Sequence, residues 1–321
     1  MRVLVTGGAG YIGAHVVRLL AQRGDTPIVV DDLSTGDRDR VGGAEFHELD
    51  LTASDANQRL EALLRDARVD GVVHFAAKKQ VGESVERPLW YFEQNVGGLV
   101  NLLRAVETVG VERFVFSSSA SVYGHADDAL VSEASPTRPV NPYGQTKLAG
   151  EWLVGDVAAA GALRGASLRY FNVAGAGWPD LGDTAVLNLV PMVIERIEAG
   201  ESPRIFGDDY PTADGTCVRD YVHVLDLAEA HLAVLDALAD GPARHEVFNI
   251  GTGLGSSVRV IVDQVLREAG STLEPEVLAR RAGDPPALVA DASRIEQRIG
   301  WRAQRGVAEI VASAWSAHRY R

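Results

Sequence analysis

Tyr143 and Lys147 stand four residues apart, directly behind Asn141 and Pro142. Asn is a good helix N-cap and Pro suits the first helical position, so this spacing puts both side chains on one face of a new helix. The chemistry such a pair can do is proton abstraction. A free phenol has a pKa of roughly 10, and bringing it to about 7 takes about 4 kcal/mol of preferential stabilisation of the phenolate. A fixed ammonium acts in that direction, and a positively charged nicotinamide ring would add to it. Ser117, Ser118 and Ser119 close an apolar run just upstream, where open parallel sheets place ligands, and one hydroxyl there could bridge a substrate oxygen and Tyr143. Either pattern alone also occurs as a surface pair or a capping device. Their order along one chain gives them meaning together.

A second constellation lies at the start of the chain. Gly7-x-x-Gly10-x-x-Gly13 follows an apolar run and opens a helical stretch, and missing side chains there let a backbone turn tightly and approach a pyrophosphate at the helix N-terminus. Asp31 ends the second apolar run, where a carboxylate can accept both hydroxyls of an adenosine ribose. Asp32 follows it, and two carboxylates there would repel a 2'-phosphate, which favours NAD over NADP. Asp50 and Leu51 could flank an adenine, and Phe75, Ala76 and Lys79 could border the nicotinamide half. An Asp after a strand is also an ordinary turn former.

The elements that must carry these residues follow from the alternation of the sequence. Strands are expected at 2–6, 27–31, 69–76, 113–118 and 166–172, with helices at 11–23, 90–109 and 142–160. This order implies a doubly wound α/β parallel sheet of Rossmann type. After residue 172 the texture changes to loops rich in Gly, Pro and Asp, with helices expected at 187–199, 225–238 and 258–269. The expected organisation is therefore an NAD-binding domain over 1–172 and a smaller substrate-binding lobe over 173–321. Later segments near 216–250, including a strand at 246–250, cross back to the sheet.

Bulk properties exclude several classes. The 321 residues hold ample material for a core, and no apolar run reaches the roughly 18 to 20 residues a spanning helix needs. The first six residues read as a strand, not as an export signal. A formal net charge of -13 disfavours a nucleic-acid or anionic-membrane surface. Cys217 is the single cysteine, so an intrachain disulfide is impossible, which fits a reducing cytoplasm. The eight histidines, His74, His223 and His231 among them, show no metal-ligand spacing, so no metal is expected.

Gly7-x-x-Gly10-x-x-Gly13, Ser119 and Tyr143-x-x-x-Lys147 resemble the extended short-chain dehydrogenase/reductase family. Longer segments resemble its nucleotide-sugar 4-epimerase branch: 74–88 (HFAAKKQVGESVERP), 116–124 (FSSSASVYG), 169–172 (RYFN), 205–224 (IFGDDYPTADGTCVRDYVHV) and 280–291 (RRAGDPPALVAD). The stretch 205–224 is the most specific, being similar to the branch's uridine-binding segment.

The resemblance implies tightly bound NAD, inversion at C4 of UDP-glucose and UDP-galactose through a 4-keto sugar, and a homodimer. It implies Tyr143 as base, Ser119 as its partner, and Lys147 on the nicotinamide ribose. Tyr11, Ile12, Leu33, Ser34, Ala77, Asn95, Ser117, Tyr170 and Phe171 join the cofactor set. The UDP-sugar set is Lys79, Ser119, Tyr143, Asn172, Asn188, Leu189, Arg204, Phe206, Arg219, Tyr221, Arg281, Asp284 and Leu288.

Leu288 is a departure. It occupies the place where, in the branch, a tyrosine goes with plain hexoses and a small residue with N-acetylated ones, so acceptance of UDP-N-acetylhexosamines stays open. The same machinery also fits a UDP-uronate or UDP-pentose epimerase. A nucleotide-sugar 4,6-dehydratase would need an acid/base pair beside the serine, and Ala120 and Ser121 supply no carboxylate. A regulatory NAD-binding protein would have little need of an intact base.

Overall fold

The computed structural model of the chain describes residues 1–126, 128–281 and 283–320; Ala282 and Arg321, inside the expected second lobe, lie outside the described residues. In chain order the first elements are β1 (Arg2–Thr6), α1 (Tyr11–Gln22), β2 (Thr26–Asp31), β3 (Glu45–Glu48), α2 (Ala56–Asp66), β4 (Gly71–His74), α3 (Val81–Glu86), α4 (Pro88–Phe92), α5 (Gly98–Val109) and β5 (Arg113–Ser117). There follow β6 (Leu130–Val131), α6 (Pro142–Ala160), β7 (Arg164–Tyr170), β8 (Asn172–Ala174), α7 (Leu189–Glu198), β9 (Arg204–Phe206) and β10 (Val218–His223). The last are α8 (Val224–Ala237), β11 (Arg244–Ile250), β12 (Gly255–Ser257), α9 (Val258–Ala269), β13 (Glu276–Leu278), β14 (Ala287–Ala290), α10 (Ser293–Ile299) and α11 (Val307–Tyr320).

Two compact units result. The first comprises Met1–Gly124, Thr137–Arg169 and Ala228–Phe248, and the second His125–Pro136, Tyr170–Leu227 and Asn249–Arg321. Residues 125–136 fall inside the span that sequence assigns to the first domain, yet β6 within them pairs with β14 of the second unit. Residues 216–227 also belong to the second unit, and the return to the first comprises 228–248.

The first unit is built on a seven-stranded sheet of order β11-β7-β5-β4-β1-β2-β3. Parallel ladders join β3 through β7, and the reversal of strand order lies between β1 and β4, the place where doubly wound sheets bind nucleotides. Leu4, Ile28, Val72 and Phe114 of the strands pack against Leu60 and Leu64 of α2, Leu102 and Val106 of α5 and Val154 of α6. The helix expected at 90–109 is interrupted: α4 and α5 are separated by a π-helical turn, Glu93–Gly97. That turn carries buried Asn95, whose amide bonds inward to Lys78 and Thr146. Such insertions are often found at functional sites.

In the second unit β12, β10, β14 and β6 form a sheet in that order, with β8 also paired to β10, while β9 and β13 make a separate pair. Val193 and Ile194 of α7, Ile261 and Val265 of α9, and Ile310 and Val311 of α11 form its core. No helix among the described residues is long and apolar enough to cross a membrane.

Candidate functional site

The turn after β1 is shaped by what its glycines omit. Gly7 has φ +70, and a Cβ on it would lie 2.6 Å from Ala76 N; a Cβ on Gly13 would overlap Gly7 O. At Gly10, the N-cap of α1, a Cβ would meet only Gly7 O at 3.2 Å. The first two positions thus serve close packing, and the third leaves one side open. No side chain caps α1 and its first turn has no acidic residue, so the amides of Tyr11 and Ile12 begin a helix end suited to an anion. A dinucleotide pyrophosphate fits that cradle.

Asp31 ends β2 and is buried; it accepts hydrogen bonds from Ala9 N at 3.0 Å and Leu33 N at 2.9 Å, tying the glycine turn to the strand end. Burial raises its carboxyl above the usual range, against the pull of those two donors. Leu33 is held at φ 55, a left-handed conformation uncommon for a leucine. Asp32 accepts from Ser34 N and Ser34 Oγ and is ion-paired with Lys78 at 3.0 Å. Burial pushes its carboxyl up, but Ser34 and Lys78 outweigh this and hold it below the ordinary value. Its charge is therefore largely compensated.

Other expected cofactor residues have the following places. Asn95 accepts from Lys78 N at 2.7 Å and donates to Lys78 O at 3.0 Å and to Thr146 Oγ1 at 3.0 Å, so its amide fixes the backbone of the strand-end loop. Asp50 accepts from Thr52 N and Oγ1 in a local turn, and Leu51 packs in the core. Phe75 and Ala76 donate their backbone N–H groups to Thr6 O, Ala77 is half-buried, and Lys79 is exposed. Tyr170 and Phe171 lie in the second unit.

The reactive residues are assembled by α6. Asn141 caps it by accepting from Gly144 N at 2.9 Å, and Pro142 is its first residue. A Cβ on Gly150 would overlap the Phe116 ring, so glycine there lets α6 lie close against β5. Tyr143 and Lys147 are both buried on the same face, with Lys147 Nζ 6.0 Å from the Tyr143 ring centroid. Lys147 donates to Ser117 O at 2.8 Å. Burial pushes this lysine down to about 7, with Glu151 pulling the other way. Its charge is thus poised to respond to any anion placed beside it. Ser117 Oγ is buried with no hydrogen-bond partner among the described residues. Ser119 Oγ accepts from Ser121 N at 3.1 Å, capping a short 3-10 turn, Ala120–Val122.

The second unit contains a cavity of about 530 Å³. Asn172, Asn188, Leu189, Arg204, Phe206, Arg219, Tyr221, Arg281 and Asp284 all line it. Leu288 is not in its wall, but pairs in register with Arg219 on the neighbouring strand. Arg281 stacks on Phe206 at 3.9 Å, presenting a flat cationic and aromatic surface. Arg219 is anchored through the carbonyls of Val218 and Pro285, both at 2.9 Å, and lies 3.6 Å from Asp284. Burial pushes the Tyr221 phenol up. The wall carries four arginines (196, 204, 219, 281) against three carboxylates (195, 201, 284), a cationic lining in an acidic chain. That suits a diphosphate.

Sequence reasoning missed Arg196 and placed no ligand role on Cys217, which is buried and also lines the cavity. Lys78 and Glu151 were missed too; the only signal was the four-residue step from Lys147 to Glu151. Among the described residues no group of His, Cys, Asp and Glu could hold a metal ion.

Residues 3–251 match the model of the NAD dependent epimerase/dehydratase family. The chain is 41% identical to a UDP-glucose 4-epimerase of Corynebacterium glutamicum, covering 98% of this chain and 95% of that protein. It is 44% identical to one of Streptomyces lividans over 99% and 96%. A crystal structure of UDP-glucose-4-epimerase from Stenotrophomonas maltophila, with bound NAD and formylated UDP-arabinopyranose, superposes with a TM-score of 0.93 at 40% identity, covering 99% of this chain and 98% of that one.

Proposed function

The chain belongs to the NAD dependent epimerase/dehydratase family, and from that membership we propose how it inverts C4 of UDP-glucose and UDP-galactose. NAD, when bound, supplies a reversible acceptor for the C4 hydride, so the sugar passes through a 4-keto form with no net oxidation. Gly7, Gly10 and Gly13 and the start of α1 hold its pyrophosphate, and Asp31 its adenosine ribose. Tyr143 takes the proton of the 4-hydroxyl as phenolate and returns it, Ser119 hydrogen-bonds the same oxygen, and Lys147 supports the phenolate. Arg219 and Arg281 hold the diphosphate, and Phe206 with Tyr221 and Asn188 binds the uridine side.

One observation carries this reading: a tyrosine and a lysine buried on one helix face, with the lysine bonded to the carbonyl of Ser117 at a strand end. Purified protein given UDP-galactose without added NAD is expected to form UDP-glucose. Tyr143→Phe should lose roughly 10²–10⁴-fold in turnover while keeping its NAD. An inert wild type, or a fully active Tyr143→Phe, rejects the assignment.

We also propose a homodimer. Val85 of α3, Leu89 of α4 and Trp152 of α6 are exposed by 62%, 85% and 62%, and large apolar side chains in such number on neighbouring helices mark a contact surface. Light scattering of the purified protein should give twice the chain mass; a monomer at micromolar concentration refutes it. Its single buried thiol suits a reducing cytoplasm, which cell fractionation would test.

A further inference from the structure

Tyr143, Lys147 and Glu151 follow one another at four-residue steps along the buried face of α6. Two of the three consecutive serines at and after the end of β5 bond to this face. Ser117 O accepts from Lys147 Nζ at 2.8 Å, and Ser118 Oγ donates to Glu151 Oε1 at 2.5 Å. Glu151 is also gripped by Arg169 of β7, whose Nε and Nη2 approach its two oxygens at 2.6 to 3.2 Å. Register explains why Arg169 is there: Ser117 pairs with Leu168 on the adjacent strand, and Ser118 N donates to Leu168 O. Arg169 has one further partner. Its Nη1 donates to Tyr123 Oη at 3.1 Å, and its guanidinium lies 5.0 Å from the Tyr123 ring.

The network therefore holds the chain on both sides of Ser119. Ser118 precedes it and is bound to Glu151; Tyr123 follows the turn that Ser119 caps and is bound to Arg169. Ser118, Glu151, Arg169 and Tyr123 are all buried. A buried ion pair adds little stability over an apolar replacement but, fully satisfied, fixes one arrangement of what it touches. We propose that Glu151 and Arg169 are positioning residues for the reaction: they set Ser119 and Lys147 at a fixed disposition to Tyr143. They do so without touching substrate or cofactor.

This inference rests on the roles given above to Tyr143, Ser119 and Lys147, and the test separates the two. Replacing Glu151 or Arg169 would leave the other charge buried and unpaired, which threatens folding. Ser118→Ala and Tyr123→Phe instead cut the pair's two links to the serine segment and leave the pair itself intact.

In NAD-loaded enzyme, each variant is expected to lower kcat by about 10- to 100-fold, as a displacement of a catalytic group by a fraction of an ångström would. KM for UDP-galactose and NAD content should stay within about twofold of wild type, because no binding contact is altered. A purely structural role would lower the melting temperature and leave kcat per NAD-loaded molecule unchanged. That result in both variants overturns the inference, as does a rise in KM at constant kcat. Tyr143→Phe and Ser119→Ala are measured in parallel. If they are inert while Ser118→Ala and Tyr123→Phe match wild type, only the positioning role fails; if they are fully active, the catalytic assignment itself fails.

Discussion

Leu288 stands opposite Arg219 on neighbouring parallel strands, where directly paired side chains share a face of the sheet. Arg219 lines the cavity, so a longer group at position 288 would extend beside it. Leu288→Tyr is expected to reduce kcat/KM for UDP-N-acetylhexosamines by at least about tenfold, the effect of filling space a larger substituent needs, with UDP-galactose little affected. Equal loss on both substrates would show that the position does not read the 2-substituent. Single residues were legible where geometry forces their type. Glycine at a positive φ and a Tyr/Lys pair at helical spacing are such cases. The internal bonds of Asn95 and Asp50 were not legible, because the type of an amide or carboxylate near a strand end does not say which backbone groups it will meet. Glu151 was hidden for another reason: a carboxylate one turn beyond a lysine ordinarily reads as a surface ion pair.

At the level of elements, β2 and β4 flank β1, and the Lys78–Asp32 pair joins the segments that follow them. Lys78 is aimed by Asn95, which binds both its backbone N and O, and Asp32 by Ser34. The pair thus spans the side of the glycine turn where the dinucleotide is proposed to lie. Being only half-buried, it should contribute modestly and be weakened by salt. Lys78→Met is expected to speed NAD loss about fivefold at low ionic strength, with the difference shrinking in high salt. Released NAD, separated after dilution and reduced enzymatically to its fluorescent dihydro form, measures this; equal loss rates at all salt concentrations would remove any role for the pair in retention. The strands and helices with strong apolar patterns were readable, and α6, marked at its start by Asn141 and Pro142 and not by an apolar stripe, was readable to its first and last residue. The short edge strand β3, sequence EFHE, has one apolar residue, and α2 hides three buried side chains among polar ones. β3 presents no clear period, whereas α2 does, with Ala56, Leu60 and Leu64 at four-residue steps, and it was absent from the expected elements only because its other positions are mostly polar. The break at Glu93–Gly97 was also unreadable, since a π turn leaves the apolar pattern around it nearly continuous.

On the scale of the whole molecule, the return of a late segment to the first sheet was legible, but local pattern does not report which sheet a two-residue strand such as β6 will join, so the place of residues 125–136 in the second unit lay beyond the sequence. Each unit nevertheless contains the same acid-sensitive device. In the first, His74 Nδ1 is paired with Thr6 Oγ1 at 2.6 Å, and burial, with Lys147 nearby, pushes it down to about 3. In the second, His223 accepts from Leu225 N and meets Ser313 Oγ, and burial with Arg305 pushes it down to about 4. Both rings are neutral when folded, whereas in the unfolded chain each takes a proton below its ordinary value of 6.5. The unfolded state then binds more protons, so stability is complete above that value and falls as pH drops through it toward the folded pKa values. At about pH 5 each histidine should cost about 2 kcal/mol relative to neutral pH. Urea denaturation followed between about pH 7.5 and 5 should show this loss, and His74→Asn and His223→Asn, which keep a polar group without the titration, should each flatten it by that amount. An unchanged acid slope in both variants would trace the loss to carboxylates instead, and the depressed imidazoles would have no part in it.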